Sequence, residues 1–162
     1  MSSAVYLSNL AALYPETLID ASVLSTEDIW EYFDQGWNNL SVMPEDRELD
    51  HIATTAFILV ARLSGKAPVQ VLADAMTLHA NKNAGYAGDN KDPWINFRYS
   101  TKFGVSPVQG VLIRLSDKYA RTISLRKNPD NDKVGESLID SVGDYGAYAI
   151  IAKSIRHEGP VA

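Results

Sequence analysis

Three carboxylates in the C-terminal quarter of the chain, Glu136, Asp140 and Asp144, recur at intervals of four residues. Read as a helix, the segment 132–157 puts them at i, i+4 and i+8 on one stripe. Leu138, Ile139, Val142, Tyr145 and Ile150 gather on the other side. At about 1.5 Å of rise per residue, neighbouring acids start roughly 6 Å apart and the outer two roughly 12 Å apart. Magnesium–oxygen bonds are only about 2.1 Å, so adjacent acids can share one ion while Glu136 and Asp144 cannot. The stripe offers a metal pair with a spare acid, or the edge of a two-ion site. The plainer alternative is a solvated acidic face.

A second stripe carries the opposite charge. Arg114, Asp117, Lys118 and Arg121 stand at i, i+3, i+4 and i+7, beside an apolar face of Val108, Val111, Leu112, Leu115, Tyr119 and Ile123. Three cations on one stripe repel each other unless something negative lies against them. Either the acids of the following helix do so, as an inter-helix ladder, or the phosphates of a ligand do.

The third group lies around a Gly, Asp, Asn and Pro-rich stretch between residues 84 and 96. Lys82, Asn83, Tyr86, Asp89, Asp92, Trp94, Asn96 and Arg98 supply aromatic faces for a base, amides for its edge and cations for phosphate. A long loop inside a small helical domain is more often functional than accidental. Trp94 can equally serve as a plug beneath the loop, and His79 reads as a core residue.

The elements that must position these groups are helical throughout. Ser25 to Asp28 reads as an N-terminal cap for a helix bearing Ile29, Trp30 and Phe33. Pro44 opens a second helix that Gly65 closes, and its Glu45 and Glu48 are explained by the helix dipole. Pro68 opens a third, which stops at Gly85. A short helix is expected between Phe97 and Gly104. Ser106 to Gln109 is a capping box with proline at the first helical position. Asp132 is the expected cap of the last helix, which Gly159 and Pro160 stop. The expectation is one all-α domain, an antiparallel helical bundle over residues 25–162. Residues 1–24 form an arm or short helix whose Tyr6, Leu7, Leu10 and Leu13 suit burial on a partner subunit.

Composition narrows the function. The 162 residues carry a net charge of −5 and no basic run, which argues against a nucleic-acid polymer as ligand. There is no cysteine, so disulfides, thiol catalysis and cysteine-bound zinc are excluded. The longest apolar run, 52–63, is interrupted and too short to span a bilayer. A cytoplasmic protein is expected.

Taken in order, KNAGY, NFR, RLSDKYAR and ESLIDSVGDYGAYAII resemble the nucleotide-modification-associated domain 1 family of small all-α phage and prophage proteins. The resemblance covers roughly residues 78–155, about half of the chain. It implies a role in phage nucleotide metabolism and a distant likeness to the MazG-type pyrophosphohydrolases. Those hold magnesium with ExxE on one helix and ExxD on another. This chain has ExxxD and DxxxD instead, with Asp117, Glu45 or Glu48 left to complete a site.

The resulting expectation is a magnesium-dependent nucleotide phosphohydrolase or pyrophosphohydrolase, a homodimer or larger. Glu136 and Asp140 would be catalytic, with Asp144 and Asp117 as further metal ligands. Arg114, Lys118, Arg121 and Arg98 would meet phosphate, and Lys82, Asn83, Tyr86, Trp94 and Asn96 the base and sugar. The alternative is a protein of the same fold that sequesters a signalling nucleotide in phage counter-defence without cleaving it.

Overall fold

Short polar caps set the helix starts. The computed structural model describes residues 23–158, the side chain of Asn83 excepted. The expected arm therefore lies outside the described residues but for Val23 and Leu24, as does the stop at Gly159 and Pro160. Ser25 caps α1 (Thr26–Asn39). Its hydroxyl accepts from the Asp28 N–H at 3.1 Å, and the Asp28 carboxylate accepts from the Ser25 N–H at 2.9 Å. At the start of α2 (Asp46–Ser64) Glu48 accepts from the N–H groups of Glu45 and Ser41 at 2.7 and 2.8 Å. Gly65, at φ 70°, closes that helix in the left-handed region. Proline begins α3 (Pro68–Ala87), and α4 (Ile95–Arg98) continues into a 3-10 turn, Tyr99–Phe103. The Ser106 box opens α5 (Pro107–Lys127), and α6 (Leu138–Glu158) completes the described chain. Among the described residues there is no strand, so the all-α class stands.

Contacts between helices fix the architecture. Asp46 meets Arg156 and His157, Asp50 meets Lys153, and Ala56 lies against Gly146, so α2 and α6 run antiparallel. Lys118 meets Asp144 while Arg121 meets Glu136, giving α5 and α6 the same relation. Gly36 beside His51, with Arg62 donating to the Leu24 carbonyl, does so for α1 and α2. Trp37 stacks on Tyr119 at 4.5 Å and Arg126 covers Trp30, which closes α1 onto α5. Four long helices thus alternate in direction around Phe33, Phe57, Leu115, Tyr145 and Ile150, all 1% exposed or less. A Cβ on Gly146 would come within 2.8 Å of the Ala56 Cβ, so glycine there is what lets α2 and α6 approach. The chain bends by 110° between α2 and α3, which carries α3 out of the four-helix alternation. No single helix among the described residues is long and apolar enough to cross a membrane.

Two expected boundaries shift. The third helix does not stop at Gly85; it runs to Ala87, and with α4 starting at Ile95 the irregular segment shrinks from 84–96 to 88–94. Glycine costs a helix only about 1 kcal/mol, which the flanking turns absorb. The last helix does not begin at Asp132. Ser137 and Asp140 form the actual box: the Asp140 carboxylate accepts from the Ser137 N–H at 3.1 Å and hydroxyl at 2.8 Å. Asp132 instead caps the preceding turn, accepting from the N–H groups of Val134 and Glu136. Glu136 therefore sits before α6, and the three acids do not share one helical stripe.

Candidate functional site

Asp144 is the centre to which the expected groups converge. It is 6% exposed on α6, and such a carboxylate must be paired. Lys82 from α3 reaches its Oδ1 at 3.0 Å and Lys118 from α5 its Oδ2 at 3.0 Å. The buried imidazole of His79 stands 4.0 Å from the same Oδ1. Burial alone would raise the Asp144 pKa, but the hydrogen bonds from the two lysines outweigh it and hold the carboxyl below its ordinary value. Burial likewise opposes the charge on Lys118, and its bonds to Glu136 and Asp144 hold its pKa above the usual one.

Lys118 and Arg121 meet the acids facing them as a ladder. Lys118 also binds Glu136, and Arg121 reaches Asp132 at 2.9 Å and the Glu136 carboxylate at 3.4 Å. Asp140 is spent on its own cap. Asp117 is exposed on α5. Glu45 and Glu48 stand at the far end of α6: Asp46 beside them pairs with Arg156, about 24 Å along the helix from Asp140. Among the described residues no group of three carboxylates or imidazoles is gathered as a metal cage. As arranged, Glu136 and Asp144 each neutralise a cation and Asp140 caps α6, so an ion bound there would have to displace one of these partners. The ammonium of Lys118, lying between Glu136 and Asp144, occupies a position that a cation could take.

Two hollows flank this centre and share His79 and Lys82 as a partition. The larger, about 450 Å³, lies between α2, α3 and the start of α6. Phe57, Val60, Val71, Leu78 and Ile139 give it an apolar lining, and Glu136, Asp140 and Asp144 an acidic edge. The smaller, about 160 Å³, is lined by Lys82, Tyr86, Asn96, Phe97, Arg114 and Tyr148. It has two cations and no carboxylate. Four of its residues are ones the sequence nominated, Lys82, Tyr86 and Asn96 in one group and Arg114 in another. Among the described residues Arg114 makes no ion pair, unlike Lys118 and Arg121. The Asn96 Oδ1 is buried without a hydrogen-bond partner.

The remaining nominated residues have other work. Trp94 is fully buried, donates to Glu158 at 2.8 Å and plugs the loop. Arg98 is held by Asp92, which also accepts from the Trp94 N–H at 3.0 Å and so fixes the turn. The side chain of Asn83 lies outside the described residues. Tyr148 was not nominated. It follows Asp144 by one helical turn, and that i+4 spacing is the signal that would have found it; Phe97 meets it edge to face at 6.2 Å.

His79 gives the site a pH dependence. Burial first, then Lys82, lowers its pKa from 6.5 to about 4, against the opposing pull of Asp144. A depressed folded value means stability is full above pH 6.5 and is lost as pH falls toward 4, because the unfolded chain binds the proton first. The loss expected across that window is on the order of 3 kcal/mol. His79→Gln should flatten this part of a stability–pH profile from urea melts; an unchanged slope would show that other groups carry it.

Comparison of the chain with protein-family models, with curated proteins and with solved structures finds no match, so the site is read from its own geometry.

Proposed function

We propose that this protein binds a phosphate-bearing small molecule of the nucleotide class across the two hollows. The observation that carries this reading is the convergence of Lys82, Tyr86, Asn96 and Arg114 on one cation-lined hollow, next to an apolar cleft with an acidic edge. Such a pair of compartments matches a ligand with an anionic end and a flat, partly apolar end bearing hydrogen-bond donors. Arg114 and Lys82 would take the phosphate by charge-assisted bonds. The cleft beside Phe57 and Leu78 would hold the base, its acids accepting from amino or hydroxyl groups.

A second reading keeps the magnesium-dependent hydrolase and its distant MazG likeness. The favouring observation is that Lys118 bridges Glu136 and Asp144, so a divalent ion could replace the ammonium if that side chain swings away. Isothermal titration with nucleoside mono- and triphosphates, run in EDTA and then in magnesium, separates the two. Binding in EDTA with intact nucleotide recovered supports the binding reading. Turnover that appears only with magnesium supports the hydrolase. Absence of binding in both buffers would overturn the nucleotide class altogether.

A further inference from the structure

We infer that the larger cleft selects a base bearing an exocyclic amino group, and that the unengaged carboxylate oxygen of Asp140 receives that group. This rests on the nucleotide-binding reading and adds the character of the base edge to it. Asp74, Glu136, Asp140 and Asp144 put four carboxylates on the cleft wall, against the ammonium groups of Lys66 and Lys82. Both ammonium groups are taken: Lys66 meets Asp74 at 2.6 Å and Lys82 meets Asp144 at 3.0 Å. Of the charged groups on this wall, those left to meet a ligand are acceptors.

The four acceptors are not equal. Asp74 takes Lys66 on one oxygen and Gln70 on the other. Glu136 gives its oxygens to Lys118 and Arg121, and Asp144 gives its own to Lys82 and Lys118. Asp140 differs. Its cap occupies Oδ2 alone, which takes both the N–H and the hydroxyl of Ser137, while Oδ1 accepts no hydrogen bond among the described residues. Phe57, Val60 and Ile139 offer apolar surface to the faces of a ring in this cleft, so the edge of the ring decides. Cytosine and adenine carry an amino group, a donor, where thymine and uracil carry O4, an acceptor. An ionised carboxylate has no proton to give, so it bonds the amino group and repels the carbonyl. A site built to pair with a donor rejects the analogue that lacks it, because its acceptor is then stripped of water without a partner.

The test is a titration of the full chain in EDTA with two pairs of nucleotides, deoxycytidine against deoxyuridine monophosphate and deoxyadenosine against deoxyinosine monophosphate. Sugar and phosphate are identical within each pair, so the affinity ratio reads the base edge alone. The amino member of at least one pair should bind about tenfold tighter or more. Asp140→Asn supplies the contrast. Its amide oxygen can keep the bonds from Ser137, which turns the NH2 to the unengaged side and puts a donor where the acceptor was. The ratio should then fall to one or invert in favour of the carbonyl member. Asp140 is exposed, so the variant is expected to fold, which its circular dichroism melt would verify. Ratios near one in both pairs for the wild-type chain, a preference for the carbonyl members, or an amino preference that survives in Asp140→Asn overturns this inference and leaves nucleotide binding intact. Failure of all four nucleotides to bind the wild-type chain overturns both.

Discussion

Replacing Asp144 by asparagine is expected to tighten binding of a nucleoside monophosphate about tenfold. In the wild-type chain the Lys82 ammonium is already bound to the Asp144 Oδ1 at 3.0 Å, so a phosphate must compete with that carboxylate for it. Asparagine keeps the shape and one carbonyl oxygen but removes the charge. Lys82 is then drawn toward the smaller hollow, while Lys118 retains Glu136 as a partner. A charge-assisted hydrogen bond contributes about 1.5–3 kcal/mol. Recovering even the lower part of that range corresponds to a tenfold gain, at about 1.4 kcal/mol per decade. The hydrolase reading demands the opposite outcome, since Asp144→Asn would weaken magnesium and end turnover. Titration of the variant with monophosphate in EDTA tests the competitor role, and weaker binding there would remove Asp144 from it; the hydrolase reading is tested by the same variant's turnover in magnesium.

Trp94→Ala is expected to destabilise the fold by about 3–5 kcal/mol, the range for truncating a large buried aromatic. The indole is fully buried, and its N–H donates to Glu158 across 64 positions of sequence, tying the 88–94 turn to the end of α6. Losing it leaves a cavity and frees the Glu158 carboxylate, whose pKa burial already pushes up. For a domain of this size the melting temperature should fall by roughly 10 °C. Ligand affinity should fall with it, because Asn96 and Phe97 lie within three residues of the plug. Trp94→Phe should recover most of the packing and none of the hydrogen bond, and so land between. Urea melts of the two variants check the order; equal stability of Trp94→Ala and wild type would mean that the indole does not anchor the turn.

Neither result could be anticipated from Asp144 or Trp94 as letters in a sequence, although much else could. The helical class, the boxes at Ser25 and Ser106, the glycine stop at Gly65 and the apolar faces of α2 and α5 were all legible, because each depends on interactions within about four residues. Nomination of Lys82, Tyr86, Asn96 and Arg114 was legible too, since cations, amides and exposed aromatics are suited to few tasks together. What the sequence could not carry was competition between partners. Glu136, Asp140 and Asp144 look equivalent at intervals of four, yet one precedes the helix, one caps it and one is buried on its inner side. Arg114, Lys118 and Arg121 look equivalent as well. Only the antiparallel register of α5 on α6 gives the last two to carboxylates and leaves the first facing a hollow. Local hydrogen bonding is written in neighbouring residues. Which charge neutralises which depends on distances across 18 to 62 positions of chain, and those distances are set only when the helices pack.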